Sequence, residues 1–172
     1  MAEFKIQLPA IAQGDNIEEL SLATIENEAN QYPKFADFSY EQKEVIKRQI
    51  HATTCFEEIL NNIYFTKNAI FKLKELLISG ATIIVDTNMI NSGLSDRYTK
   101  RFANSVVCYV NEPKVFEIAK QTEQTRSFAA VELAIKENLD NPIILACGNA
   151  PTFLYSAINT LIKCGKDLNS VA

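Results

Sequence analysis

One histidine, no Cys-x-x-Cys pair and no surplus of positive charge set the first limits on what this 172-residue sequence can do. A tetrahedral zinc site gathers four nitrogen or sulfur ligands. His51 with the scattered Cys55, Cys108, Cys147 and Cys164 offers no such set, so no metal site is expected. Lysine and arginine number 17 against 21 aspartates and glutamates, a net charge of −4, which argues against a general binder of nucleic acid or anionic membrane. No apolar run approaches the ~18 residues of a spanning helix, and Met1-Ala2-Glu3-Phe4-Lys5 lacks the basic-then-apolar layout of a signal peptide. A cytoplasmic chain with neither membrane nor nucleic-acid partners is the expectation. No Gly-x-Ser-x-Gly elbow supports a Ser-His-Asp triad, and no Gly-Lys-Ser/Thr ending supports a P-loop. Nor does any repeat or Pro/Gly/Ser-rich linker divide the chain, so a single domain over 1–172 is expected.

What is there is a core-forming composition, 47% hydrophobic, in alternating patterns. A first helix is expected over about 17–30, capped by Asp15 or Asn16. A second opens at Ser39, whose spacing to Gln42 makes a capping box ahead of Val45, Ile46 and Gln49. Beyond His51, strands and helices alternate. Residues 52–56 are β-prone, and Thr66 can cap a helix carrying Ala69, Ile70, Leu73, Leu76 and Leu77, stopped by a left-handed Gly80. The apolar runs 81–85, 105–110 and 142–147 read as strands covered on both faces. Helices are expected at about 113–121 and 125–138, and a last one from Pro151 to Gly165. Three of the cysteines fall in apolar, strand-like stretches and read as buried reduced thiols. Strands separated by such helices pair in parallel, which predicts an α/β fold: an open, mostly parallel sheet of four or five strands flanked by helices.

Ligands of such sheets bind beyond the carboxyl ends of the strands. Asp86-Thr87-Asn88-Met89 follows one expected strand, and Cys147-Gly148-Asn149-Ala150-Pro151-Thr152 follows the last. A glycine turn before a helix start offers free N–H groups and the positive end of a dipole to a carboxylate or phosphate; equally, Gly148 and Pro151 can simply make a tight turn. His51 belongs to the residue type that exchanges protons near neutral pH, although a lone histidine is more often structural. Arg126 in a first helical turn opposes the dipole, which hints at a task such as gripping a carboxylate; a solvated surface arginine is the plain alternative.

Five segments carry a resemblance: Ser21-Leu22-Ala23-Thr24-Ile25-Glu26-Asn27-Glu28; Arg48-Gln49-Ile50-His51-Ala52-Thr53; the stretch from Ser79 through Asp86-Thr87-Asn88-Met89-Ile90 with Gly93; Thr125-Arg126-Ser127-x-Ala129-Ala130; and Gly148-Asn149-Ala150-Pro151-Thr152. In this order, over nearly the whole chain and in one register, they resemble the precorrin-8X methylmutase family of cobalamin biosynthesis. The resemblance implies a cofactor-independent isomerase, a homodimer, that moves a methyl group from C-11 to C-12 of a corrinoid. It implies His51 as the general acid near ring C, a role typically worth ~10²–10⁴ in rate. The substrate bears many carboxylate arms. Arg126 would grip one, Ser21 matches a serine that lies at the ligand, and Thr87, Asn88 and the amides of Gly148 and Asn149 would be neutral donors. Phe56, Met89 and Phe153 could line the ring face, though each taken alone reads as core. The family normally continues past residue 172 into a glycine-rich segment and a strand that would begin at Val171. It often has a small residue or aspartate where Thr54 and Cys55 stand, and alanine where Phe128 stands. These departures keep a second reading open, a relative that binds a corrinoid or related tetrapyrrole without turning it over.

Overall fold

The computed structural model describes residues 14–148 and 150–172. They fall into two units, one ending at Ile70 and the other running from Phe71 to Ala172. In the first, α1 (Gly14–Ala29) begins ahead of the Asp15 and Asn16 caps expected from the sequence. Only the later half of its apolar stripe is buried: Ile25 and Ala29 join the core, whereas Ile17 and Leu20 are exposed. The single turn α2 (Pro33–Ala36) inserts Phe35. Ser39 closes the expected capping box of α3 (Tyr40–Thr53): its Oγ accepts from the Gln42 N–H at 3.3 Å, and its own N–H donates to Gln42 Oε1 at 2.9 Å. With α4 (Phe56–Asn62) these helices enclose a cluster of Ile25, Ala29, Phe35, Ile46, Ile50 and Leu60.

The strand expected over 52–56 does not form. Ala52 and Thr53 end α3, Thr54 turns left-handed at φ 60°, and Phe56 opens α4. Adjacent threonines favour a strand only where a pleated neighbour offers packing. Here the helix carries on because it keeps Ile46 and Ile50 in the core, and Thr53 Oγ1 donates back to the Gln49 carbonyl at 2.8 Å.

The division falls in the first turn of α5 (Ala69–Ile78). Thr66 meets this helix through its carbonyl, which accepts from Ala69 N–H at 3.1 Å, and not through the hydroxyl cap expected of it. The other end stops as expected. Gly80 sits at φ 76°, its N–H donates to Leu77, and Ala81 N–H donates to Leu76, the two bonds of a Schellman cap. The second unit then runs β1 (Thr82–Val85), α6 (Asn88–Gly93), α7 (Asp96–Arg101), β2 (Ser105–Val107), α8 (Pro113–Thr122), α9 (Arg126–Glu137), β3 (Ile143–Ala146) and α10 (Pro151–Lys163). The strands form one parallel sheet in the order β2-β1-β3, with Thr82 beside both Ser105 and Ile143.

Among the described residues the sheet therefore has three strands, not four or five. Val171 does bridge Ile143 in parallel, and Ala172 exchanges hydrogen bonds with Ile143 and Leu145 along the outer edge of β3. The unbroken apolar strands are explained by two-sided cover. Ile84 and Ile143 pack with Val131, Ile135, Phe153 and Leu161 of α9 and α10, while Ile83, Val85 and Ile144 pack with Leu76 of α5. The cysteines correct the sequence reading. None of the four forms a disulfide, but Cys55 and Cys164 are exposed and Cys108 and Cys147 half-buried. Cys55 lies outside the core because its strand is absent, and the other pair sits just past the ends of β2 and β3.

Candidate active site

His51 occupies the last turn of α3 and is exposed. Across from it, Ser21, Thr24, Ile25 and Glu28 share one face of α1, the i, i+3, i+4, i+7 spacing of a helical stripe. Together with Ile50, His51, Thr54 and Phe56 they line a cavity of about 400 Å³, in the size range of small-molecule sites. Ile25 and Ile50 join it to the core, and Phe56 stacks on Tyr32 with ring centroids 6.2 Å apart. Ser21 Oγ lies 2.8 Å from His51 Nδ1. One imidazole nitrogen, Nδ1, is thus held by the Ser21 hydroxyl.

Two ion-pair groups fasten α1 to α3 around that pair. Buried Lys47 reaches Glu26 Oε2 at 2.9 Å and Glu44 Oε1 at 2.5 Å, and exposed Arg48 reaches Glu18 at 2.5 Å. Burial works against the charge on Lys47, but the hydrogen bonds and fields of Glu44 and Glu26 outweigh it and raise its pKa above the usual lysine value.

The remaining residues singled out in the sequence lie in the second unit, except Asn149, which falls outside the described residues. Thr87 caps α6, its Oγ1 accepting from Ile90 N–H at 3.4 Å, and Asn88 beside it is exposed. The Gly148 N–H donates to Asp86 Oδ1 at 3.0 Å, so this amide already has a partner. Ala150 N–H donates to the other Asp86 oxygen at 3.0 Å. A side chain at Gly148 would press on Ile90, with a Cβ only 2.9 Å from Ile90 Cδ1. Asp86, 2% exposed at the end of β1, therefore shapes the β3–α10 turn. The sequence reading saw the segment but missed that role, because it depends on pairing between distant strands. Burial raises the pKa of Cys108, with a smaller push from Asp86.

Arg126 is exposed at the start of α9, its guanidinium 5.0 Å from the Phe116 ring centroid. Of the three apolar candidates, Phe56 lines the His51 cavity, Phe153 is core and Met89 is exposed. A smaller cavity of about 210 Å³ lies among Tyr109, Glu112, Lys114, Leu133 and Glu137. The hydrogen bond from Tyr109 to Glu137, with burial, raises the phenol pKa. Among the described residues no group of three His, Cys, Asp or Glu stands placed to hold a metal ion, and no helix is long and apolar enough to cross a membrane.

A family profile described as precorrin-8X methylmutase matches residues 16–169. The chain is 35% identical to the cobalt-precorrin-8 methylmutase of Leptospira interrogans, over 87% of its own length and 66% of the relative's. It is 37% identical to the cobalt-precorrin-8 methylmutase of Salmonella typhimurium, over 64% of its own length and 52% of that relative's. The chain thus spans less than two thirds of the length of either. A solved precorrin-8X methylmutase from Thermus thermophilus superposes with a TM-score of 0.76 at 36% identity, covering 89% of this chain and 70% of that one.

Proposed function

Because the chain belongs to the precorrin-8X methylmutase family, we propose that it is a corrinoid isomerase, moving a methyl group from C-11 to C-12 of a cobalamin precursor without a cofactor. The observation that carries this reading is the exposed His51 at an apolar-floored cavity, with Nδ1 held by Ser21. The chemical problem is to select the tautomer of a conjugated ring in which methyl migration runs downhill. Proton delivery from His51 Nε2 near ring C does that and needs no redox partner. Phe56 offers a flat apolar surface to the ring.

The ring's carboxylate arms require donors within an acidic chain. We assign Arg126 to one arm as a planar fork, and Thr87, Asn88 and Asn149 to others as neutral donors. Thr87 receives a hydrogen bond at its oxygen and keeps its hydroxyl hydrogen for a ligand. Gly148 acts here by leaving room beside Ile90. We further infer a homodimer working in the cytoplasm, and a fourth parallel strand begun at the Val171 bridge.

Incubation with the C-11-methylated precursor, followed through the absorbance of the shifted product, tests the activity. His51→Ala should lose at least about a hundredfold in turnover while still binding product. Binding without isomerisation under every condition would favour the alternative, a corrinoid binder without activity. Undiminished turnover in His51→Ala would remove His51 from the chemistry.

A further inference from the structure

The geometry points to Ser21 as the residue that positions the catalytic imidazole and decides which of its nitrogens carries the transferable proton; this deepens the methylmutase reading of His51 and rests on it. Ser21 Oγ lies 2.8 Å from Nδ1 of a ring that is otherwise exposed. A hydroxyl can both donate and accept. At rest beside the neutral ring we assign it as the donor to Nδ1, the pairing that goes with a ring hydrogen on Nε2. Beside the charged ring the same oxygen accepts Nδ1–H. In both states Nε2–H is kept available. When a charged ring gives its Nε2 proton to the substrate carbon, the electron pair of the N–H bond stays on Nε2 and the ring keeps Nδ1–H on Ser21. After the methyl shift the Nε2 lone pair takes a proton back from the macrocycle, so the product is an isomer of the substrate and the charged ring is regenerated.

The contact also stops rotation. An exposed imidazole held by neither nitrogen samples both ring flips, and half of those orientations turn Nε2 away. Ser21 itself is kept in place because α1 is pinned to α3 through Glu18–Arg48 and Glu26–Lys47. The charged groups around His51 are these pairs, Glu44 on its own helix beside Lys47, and Glu28, the carboxylate among the described lining residues. Glu18, Glu26 and Glu44 are engaged with cations, which leaves the Nδ1 partner a neutral one.

The chain's single histidine makes the test direct. In untagged protein labelled with nitrogen-15 in the imidazole, two-bond proton–nitrogen spectra report the His51 tautomer with no assignment step. The neutral wild-type ring should be chiefly the Nε2–H form. Ser21→Ala should shift it toward a mixture and lower kcat about tenfold, the cost of one hydrogen bond. Ser21→Thr keeps the hydroxyl and should restore both tautomer and kcat. An unchanged tautomer in Ser21→Ala, or a changed one with unaltered kcat, overturns the proposal. Turnover surviving in His51→Ala overturns it too, by removing the catalytic role, yet leaves the wild-type and Ser21→Ala spectra standing. The two failures are therefore distinguishable.

Discussion

At the scale of single residues, Ser21 and His51 stand 30 positions apart in the chain, and only the packing of α1 on α3 makes them neighbours. Each was visible in the sequence as a motif member, because the residues beside it are distinctive; their hydrogen bond was not, because side-chain reach depends on helix packing. The stripe Ser21, Thr24, Ile25, Glu28 was in principle legible, since its spacing alone defines a helical face. Arg126 was legible as a residue set against its helix dipole, and the structure leaves it exposed above Phe116. Arg126→Ala should weaken corrinoid binding by about 1.5–3 kcal/mol in titration calorimetry, the range for a charged hydrogen bond. Unchanged affinity would make it an ordinary solvated arginine.

At the scale of elements, Lys47 shows how a pair of helices is tied. Its pKa is raised, so the charged form is stabilised by folding. That contribution is fully present below the unfolded value of 10.5 and is lost as pH rises through the higher folded value. Urea unfolding of wild type against Lys47→Met should show a wild-type advantage of about 1–2 kcal/mol at neutral pH that shrinks in alkali. An advantage independent of pH would assign Lys47 to packing alone. Asp86 joins elements in the second unit, where its buried carboxylate accepts two backbone N–H groups of the β3–α10 turn. Asp86→Ala strands both donors and should destabilise the protein by about 2–4 kcal/mol in thermal or chemical unfolding. The capping box at Ser39 and the Gly80 stop were legible because both depend on near neighbours. The absent strand at 52–56 was not, because local β-preference says nothing about whether a partner strand lies alongside.

At the scale of the whole molecule, the unbroken apolar runs correctly announced a parallel sheet covered on both faces. Among the described residues three strands form where four or five were expected, since one β-prone run joined a helix and the residues at 171–172 make an isolated bridge. The proposed dimer belongs to this scale as well. Sedimentation equilibrium should return twice the mass of the chain at micromolar concentration, and a strictly monomeric species would retire that part of the proposal.

The sequence by itself determined the family, the order of the three strands with α8, α9 and α10 beyond residue 80, and the one histidine on which the proposed proton exchange rests. Motifs, caps and hydrophobic periods are properties of neighbours along a chain, and His51 has no rival of its own type. Only the tertiary structure decided that Nδ1 of that ring is held by Ser21, that the Gly148 amide serves Asp86, and that residues 52–53 are helical. Each of those outcomes depends on which distant backbone or side chain comes within about 3 Å, and a hydrogen bond's strength falls away steeply beyond that distance.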